Sequence, residues 1–178
     1  MDRRTALRTE RLVLRPLTRD DIPDLVAGLD DYDVSRWLTV VPYPYCPEDA
    51  EEFIAHLEAA GGFDGYGITR EGGPVMGVVG IDESLGYWLG RAYHGQGYMT
   101  EAAAALVAHW FAESGAEALT SGYFTGNAAS AAVLGKLGFK PTHDETVASR
   151  ARGTTVTIHR MRLTRADWVT GTPMRAGG

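Results

Sequence analysis

Hydrophobic positions repeat with two different periods along the chain, which predicts an alternation of strands and helices. Apolar residues alternate with polar ones in "RLVLRPL", a pattern typical of a strand that is covered on one face. In "EAAAALVAHWF" the apolar residues recur at helical spacing and share one face, which carries Ala103, Leu106, Val107, Trp110 and Phe111. The chain therefore combines both kinds of element.

Reading this pattern from end to end predicts the order β-α-α-β-β-β-α-β-α-β-β. The predicted strands are 11–17, "YGITR", "PVMGVVGI", 85–89, "ALTSGYF" and two more around a long loop at 143–155. Helices are expected at 19–29, 47–60, 99–114 and 128–137, and residues 30–45 are expected to be mainly loop. Antiparallel hairpins together with helical crossovers predict an α/β or α+β fold with helices on both faces of a sheet.

Length and composition narrow the class of protein. The 178 residues favour one domain, with a core at about 9–168 and a loose tail at 170–178. The single cysteine, Cys46, excludes an internal disulfide and a cysteine-based metal cluster, so no metal is expected. A net charge of −6 argues against nucleic acid as a partner. No apolar run is long enough to cross a membrane and the N-terminus lacks a signal-peptide pattern, so we expect a cytoplasmic protein without membrane contact.

The stretch "YHGQGYMTEA" places two glycines immediately before a long predicted helix. The first N–H groups of a helix have no internal partner and carry partial positive charge, and Gly95 and Gly97 would allow a ligand to approach closely. These features suit a pyrophosphate, although a plain turn with a helix cap explains the same residues. Tyr98, Met99 and Thr100 fit neither a P-loop nor a dinucleotide-binding fingerprint.

The segment "LGYWLGRAYHGQGYMTEA", followed by "NAASAAVLGKLGF", resembles the GNAT superfamily of acetyl-CoA-dependent N-acetyltransferases. The opening "TERLVLRPLTRDD" and the closing "SRARGTTVTIHRMRLTRADW" are similar to the branch that acetylates the N-terminal alanine of ribosomal proteins. The resemblance runs from about Thr9 to Trp168. It implies a GNAT-like fold, in which a central mixed, twisted sheet of about six to seven strands contains one splayed pair.

The resemblance also implies acetyl-CoA as co-substrate, with its pyrophosphate on the glycine loop. The residues implied to bind it, chiefly through backbone amides, are Gly95, Gln96, Gly97, Tyr98, Met99 and Thr100. His94 and Met99 depart from the family signature, and the side chain of Met99 is expected to pack in the core. The sequence does not decide between solvent and ligand for His94.

In this family the strand before the loop pairs with the pantetheine arm, which implies binding roles for Tyr87, Trp88 and Leu89. Leu89 would offer its amide to the thioester carbonyl, where a donor to the developing oxyanion is worth about 3 kcal/mol. Ordinary strand packing is the alternative interpretation of these three residues, and it also holds for the alternate side chains of the segment.

Asn127 and Ser130 begin the next predicted helix. Asn127 suits the N-cap, and the resemblance also places it beside the pantetheine. Many GNAT enzymes carry a tyrosine general acid seven residues after this asparagine, where this chain has Leu134. The ribosomal-protein branch places a serine near the CoA sulfur, so the resemblance implies Ser130 as the candidate donor to the leaving thiolate. Glu83, with Asp82, is the candidate general base, and a solvated hairpin end is the alternative for both.

The resulting hypothesis is an acyltransferase that moves an acetyl group from acetyl-CoA to a primary amine by direct attack. The acceptor would be a peptide N-terminus or a small amine, held by the 30–46 segment and the 143–155 loop. The alternative is a catalytically silent acyl-CoA-binding module on the same fold. Association into a homodimer is left open.

Overall fold

The computed structural model describes residues 5–170 of the chain. The helices are α1 Ile22–Leu29, α2 Tyr32–Ser35, α3 Pro47–Ala60, α4 Tyr98–Ser114, α5 Ala128–Leu137 and α6 Arg165–Thr170. The strands are β1 Leu7–Arg8, β2 Val13–Pro16, β3 Tyr66–Thr69, β4 Gly77–Ile81, β5 Leu85–Leu89, β6 Ala118–Phe124, β7 Lys140–Ser149 and β8 Thr154–Thr164.

These strands form two separate antiparallel sheets. The larger sheet has the order β1-β2-β3-β4-β5, and the smaller has the order β6-β8-β7. The α/β class predicted from the sequence is therefore confirmed. The sheet differs in detail from the expectation of one mixed sheet with six to seven strands, because eight strands are present within residues 5–170 and no ladder joins β5 to β6.

Strands β5 and β6 lie side by side but are held together by side chains at one end. The hydroxyl of Ser121 donates a hydrogen bond to the carbonyl oxygen of Leu85 over 2.8 Å. Thr120 makes a longer bond of 3.4 Å to the carbonyl oxygen of Glu83. Because both contacts lie at the start of β5, the two strands separate toward its C-terminal end and open a gap between the sheets.

Helices cover both faces of the larger sheet. α4 and α5 pack on one face, in a cluster that contains the fully buried Leu106, Val107 and Leu134. α1 and α3 pack on the other face, where Trp88 of β5 joins the cluster. A Cβ atom at Gly28 would lie 2.4 Å from the Trp88 ring, so this contact between α1 and β5 requires glycine. Because successive side chains of a strand point to opposite faces of the sheet, β5 is held by packing on both faces.

Two predicted loops contain regular structure. Residues 143–155 were expected to form a long loop, but they belong to the β7–β8 hairpin, whose turn is confined to 150–153. The expectation was wrong because nearly all of β7 is exposed, so its sequence lacks the apolar alternation of a half-buried strand. Within the 30–45 segment, Asp31 caps α2 by accepting a hydrogen bond from the Asp33 amide. Of the expected loose tail, residues 171–178 lie outside the described part of the chain.

Thr18 and Asp21 form a capping box in the turn before α1, and this box is part of a larger link. Asp21, which is only 5% exposed, accepts a hydrogen bond from the Thr18 amide over 2.8 Å. Both guanidinium nitrogens of Arg15 also bond to the Asp21 carboxylate, at 2.9 and 2.8 Å. Burial raises the pKa of Asp21, but the bonds from Arg15 and Thr18 outweigh it and hold the pKa below its ordinary value of 3.8. One carboxylate thus joins β2 to the start of α1.

We predict that Asp21→Asn lowers the free energy of unfolding by about 1–3 kcal/mol near neutral pH, because Arg15 loses its buried partner. Since the folded protein binds the Asp21 proton more weakly than the unfolded chain, this contribution is full above the ordinary carboxyl pKa. It is lost as the pH falls through the lowered folded value. Urea unfolding at about pH 7 and about pH 2.5 should show the gap between wild type and variant closing in acid.

Asp20→Asn is the matched control, because Asp20 is exposed on the same turn. It should change stability by less than about 0.5 kcal/mol at either pH. An Asp21→Asn variant as stable as the Asp20→Asn control would contradict the structural role of the Arg15–Asp21 pair.

Candidate active site

A cleft of about 920 Å³ occupies the gap between β5 and β6. Ten of the twelve site residues predicted from the sequence line this cleft: Tyr87, Trp88, Leu89, Gly95, Gly97, Tyr98, Met99, Thr100, Asn127 and Ser130. The other two, Gln96 and Glu83, lie outside its lining. Segments that are up to 43 residues apart along the chain therefore converge on one opening.

The glycine loop closes one end of the cleft. Gly95 and Gly97 adopt φ values of 74° and 78°, a left-handed conformation that favours glycine. The first helical hydrogen bond of α4 runs from the Glu101 amide to the Gly97 carbonyl. The preceding amides of Tyr98, Met99 and Thr100 therefore have no acceptor within the helix.

The side chains at the start of α4 point into the protein rather than into the cleft opening. Tyr98 and Met99 are 2% and 7% exposed and belong to the main hydrophobic cluster. The expected burial of Met99 is thus observed, and the departure from the family signature at this position leaves the loop amides accessible. The loop therefore presents chiefly backbone N–H groups to a ligand, and such groups can bind an anion whatever side chains the loop carries.

Arg11 holds this loop, a role that sequence reasoning missed. Its Nη1 atom donates to the Gln96 carbonyl oxygen over 2.9 Å, and its Nε atom donates to the Glu101 carboxylate over 2.7 Å. The guanidinium also lies over the Tyr98 ring, 4.6 Å from its centroid. The contribution of Gln96 is therefore its backbone carbonyl, and nothing in the local sequence pairs it with a residue 85 positions earlier.

Glu101 carries a negative charge close to the loop, but that charge is engaged by the β1–β2 turn. Its carboxylate accepts hydrogen bonds from the Thr9 hydroxyl and from both the amide and the side chain of Arg11. Burial raises the pKa of Glu101, yet these bonds outweigh it and keep the pKa below its ordinary value. The structural role expected for Glu101 agrees with these contacts.

The backbone of β5 presents hydrogen-bonding groups to the cleft. Ile81 donates to Phe63, away from β5, and Gly90 donates to Met76 at the end of the β4–β5 pair. Hydrogen-bonded and non-bonded positions alternate in an antiparallel ladder, so the N–H and C=O groups of Tyr87 and Leu89 face away from β4. Since β5 is the edge strand of its sheet, these groups face the cleft.

His94 folds back onto this edge. Its Nε2 atom lies 2.6 Å from the Leu89 carbonyl oxygen, so the ring donates a proton to that oxygen. The sequence left open whether His94 faces solvent or ligand. His94 lines the cleft, where its ring occupies the Leu89 carbonyl and leaves the Leu89 amide directed at the cleft.

The start of α5 forms the opposite wall. Asn127 caps the helix by accepting a hydrogen bond from the Ser130 amide over 3.2 Å, as the sequence predicted. The Ser130 hydroxyl lies 2.8 Å from the hydroxyl of Tyr87. Leu134, one turn further along, is fully buried in the core. Ser130 is therefore the hydroxyl that α5 contributes to the cleft.

Three reactive side chains lie outside the cleft lining, and none of them is placed to act in it. Glu83 and Asp82, the candidate bases, are exposed on the β4–β5 turn, where their hydrogen bonds use the backbone: the Glu83 carbonyl accepts from Thr120, and the Asp82 amide donates to a carbonyl of the same turn. Cys46 is exposed and donates to the Asp49 carboxylate, a bond that raises the pKa of its thiol. A thiol with a raised pKa is a weaker nucleophile at neutral pH.

The far end of the cleft is formed by the α2 segment and the smaller sheet. Trp37, Thr39, Phe124 and Arg160 line it. The first two lie in the 30–46 segment that the sequence predicted to hold the acceptor, and the other two were not singled out. The turn at Ser149–Gly153 docks on this segment, because the Arg150 amide and Arg152 side chain bond to backbone oxygens of residues 39 and 36. Asp31 and Asp33 form ion pairs with Arg91 and so tie the segment to the glycine loop.

Residues 5–170 contain neither a membrane-spanning helix nor a cluster of metal-ligating side chains. No helix there has the length and apolar character needed to cross a membrane. No group of three or more His, Cys, Asp or Glu side chains in that range is placed to hold a metal ion.

Comparisons with known proteins identify the family and the fold. The family model described as "Acetyltransferase (GNAT) domain" matches residues 11–140, well over half of the chain. A curated relative, the uncharacterized N-acetyltransferase p20 of Bacillus licheniformis, is 24% identical over 173 residues, which cover 91% of this chain and 97% of p20.

Solved structures share the fold at low sequence identity. A RimL ribosomal L7/L12 alpha-N-protein acetyltransferase in complex with coenzyme A superposes with a TM-score of 0.76 at 20% identity, covering 90% of this chain and 98% of that one. RimJ of Mycobacterium smegmatis, in complex with a CoA disulfide, gives 0.75 at 18% identity, covering 92% and 87%. At these identities the likeness establishes the shared fold.

We predict that Gly97→Asp weakens binding of CoA by at least about tenfold, because it places a negative charge against phosphate and a Cβ where the backbone is left-handed. Gly115→Asp is the matched control. It has a φ of 66° and ends the same helix at the opposite end, so it introduces the same charge and similar strain. Calorimetric titration with CoA should show loss of affinity in the first variant only, and equal affinities would contradict the placement of the phosphates.

Proposed function

Since the chain belongs to the GNAT acetyltransferase family, we propose that the cleft between β5 and β6 is where an acetyl group passes from acetyl-CoA to a primary amine. The family makes the chain an acetyl-CoA-dependent N-acetyltransferase. The observation that carries the assignment of the site is the free edge of β5, which faces a cleft closed at one end by a glycine loop and a helix N-terminus.

The pyrophosphate of acetyl-CoA is proposed to lie on the glycine loop. The amides from Gly95 to Thr100 supply hydrogen-bond donors, and the α4 dipole adds about half a positive charge at its N-terminus. Lys136 of α5 lines the same cleft and has no ion-pair partner among residues 5–170, so its charge is available to a phosphate. Gln96 takes part through its position in the loop rather than through its side chain.

The pantetheine arm is proposed to run along β5 in the position of a missing neighbouring strand. Its amides would pair with the N–H and C=O groups of Tyr87 that face the cleft, since His94 already occupies the Leu89 carbonyl. Trp88 supports this edge from behind, where it packs on α1. The Leu89 amide is then directed at the thioester carbonyl, and a donor that bonds more strongly to the developing oxyanion lowers the barrier by about 3 kcal/mol.

The chemical step is direct attack of the neutral amine on the thioester. An α-amino group has a pKa of about 7.7–8.0, so a substantial fraction is neutral near pH 7.5 without a strong base. The new C–N bond forms as the C–S bond breaks, and the electron pair of that bond leaves on sulfur. Ser130 is proposed to donate a hydrogen bond to the leaving thiolate, because its hydroxyl is the one that α5 presents in the cleft. Asn127 holds the turn that carries it.

The general base is left to water in this mechanism. Glu83 was predicted for the role, but its exposed position on the β4–β5 turn, outside the cleft lining, gives that assignment no support. A carboxylate must reach the amine directly or through one water to accept its proton. Glu83→Gln is therefore expected to leave the rate nearly unchanged.

For the acceptor we propose the N-terminal amine of a protein or peptide. The lining of the cleft also includes Trp37, Thr39 and Phe124, a set of aromatic and polar groups suited to an extended chain. The net charge of −6 favours a cationic acceptor. The RimL structure is described as an alpha-N-protein acetyltransferase, which supports the same class of acceptor for a chain with its fold.

The experiment that tests this function is a thiol-release assay with acetyl-CoA against N-terminal peptides, polyamines, amino acids and aminoglycosides. Release above the hydrolysis background with free N-terminal peptides, and its absence with the same peptides blocked at the N-terminus, is the expected result. Release with small amines alone would contradict the peptide acceptor. A protein that binds CoA but releases no thiol with any amine would contradict the enzyme and favour a silent acyl-CoA-binding module.

We predict that Ser130→Ala lowers kcat by about ten- to a thousand-fold and kcat/KM by a similar factor, because the lost bond strengthens only as the thiolate forms. The affinity for CoA should change little. Stability should also change little, since alanine suits a helix whose neighbouring residues are alanines.

Ser114→Ala provides the control, because Ser114 ends α4 and lies outside the cleft lining. Steady-state kinetics and calorimetry on both variants separate the chemical step from binding. Wild-type kcat in Ser130→Ala would remove this serine from the mechanism.

A further inference from the structure

The hydroxyl groups of Tyr87 and Ser130 meet across the gap between β5 and α5. Their oxygen atoms lie 2.8 Å apart, which is the usual length of a hydrogen bond between two hydroxyls. Both residues line the cleft. The contact is the direct side-chain link between the strand that would pair with the pantetheine and the helix that carries the proposed thiolate donor.

The direction of the hydrogen bond between the two hydroxyls decides whether Ser130 can bond to the leaving sulfur. A serine hydroxyl has one hydrogen and two acceptor positions, so it can bond to the leaving sulfur only if its hydrogen is not used elsewhere. The Ser130 amide is already engaged by the Asn127 side chain. If Tyr87 donates to the Ser130 oxygen, the serine hydrogen is left to turn toward the cleft. In the reverse orientation it would be held by Tyr87.

The surroundings of Tyr87 favour the orientation in which it donates. Its ring packs against the main hydrophobic cluster, and burial raises the pKa of its hydroxyl to about 12, with the Ser130 bond acting in the opposite direction. The phenol therefore keeps its proton throughout the neutral range. Two oxygen atoms of Ser130 compete for this proton, and the hydroxyl oxygen at 2.8 Å is much nearer than the carbonyl oxygen at 3.4 Å, so the hydroxyl oxygen is the better acceptor.

We infer that Tyr87 is a positioning residue for the acetyl transfer, which donates to the Ser130 hydroxyl oxygen and thereby directs the serine hydrogen at the thioester sulfur. This inference rests on the proposed function. In the step itself the C–S bond breaks, its electron pair passes to sulfur, and the Ser130 hydrogen bond stabilises the thiolate. The amine gives its proton to water and the thiolate later takes one from water, so neither hydroxyl changes its charge.

The first test is Tyr87→Phe, which keeps the ring and removes only the hydroxyl. We expect kcat to fall by about five- to fifty-fold, because the serine hydroxyl is then free to rotate, while the KM for acetyl-CoA stays within about twofold. A purely structural role would instead lower stability without this division between kcat and KM. Wild-type kcat in the folded variant would overturn the inference.

Tyr66→Phe is the matched control, because Tyr66 is a tyrosine buried in β3 that does not line the cleft. It should change the midpoint of thermal unfolding and leave kcat unchanged. If Tyr87→Phe fails to fold, Tyr87→Met serves as a second variant that fills the same space without a hydroxyl. A matching loss of kcat in the Tyr66→Phe control would show that lost stability explains the effect, and would overturn the inference.

A double-mutant cycle with Ser130→Ala tests whether Tyr87 acts through the serine. Once Ser130 is replaced, the Tyr87 hydroxyl has nothing to direct, so the double variant should be no slower than Ser130→Ala alone. Multiplied losses would show that Tyr87 acts independently and would overturn the inference. Absence of thiol release by the wild-type protein would overturn the proposed function and the inference together, whereas an active wild type with an unimpaired Tyr87→Phe overturns the inference alone.

Discussion

The missing hydrogen-bond ladder between β5 and β6 is the constraint on which the site depends. A continuous sheet would satisfy the cleft-facing groups of Tyr87 and Leu89 with a neighbouring strand and leave no room for a ligand. Instead, the two strands are held at one end by the Ser121–Leu85 bond and then part. That separation creates the cleft between the two sheets and leaves the backbone groups along the edge of β5 without a neighbouring strand.

Contacts from several elements keep the separated edge in place. Trp88 packs on Gly28 of α1 and fixes β5 from the side opposite the cleft. His94 occupies the Leu89 carbonyl, and Tyr87 reaches across to α5. Because each contact uses a different residue of one short strand, β5 can remain open along its edge without losing its position. Because the edge is already open, binding of a ligand requires no further separation of the strands, which is the physical basis of a preorganised site.

The sequence predicted well those features that depend on residues close together in the chain. The N-cap at Asn127 and the bounds of α3 and α5 depend on neighbours within a few residues, and the structure contains them as predicted. The glycine loop was located for the same reason, since a left-handed backbone before a helix has a local signature.

Features that depend on long-range packing were not predicted. The Tyr87–Ser130 pair joins residues 43 positions apart, and the Arg11 contacts with the loop span 85 or more, so neither has a local pattern. The β7–β8 hairpin was missed because the exposed β7 carries polar residues at most positions. Glu83 was selected for its place before β5 in the sequence, and whether a turn residue reaches the cleft depends on where the turn points, which the sequence does not give.

The most direct test of this account is residue-resolved amide hydrogen exchange of β5 with and without saturating CoA. The amides of Tyr87 and Leu89 face the cleft, whereas those of Gly86 and Trp88 already bond to β4. If the pantetheine arm takes the place of a missing strand, CoA should slow exchange at Tyr87 by at least about tenfold and leave Gly86 and Trp88 unchanged. Bound CoA with no protection at Tyr87 would contradict the account.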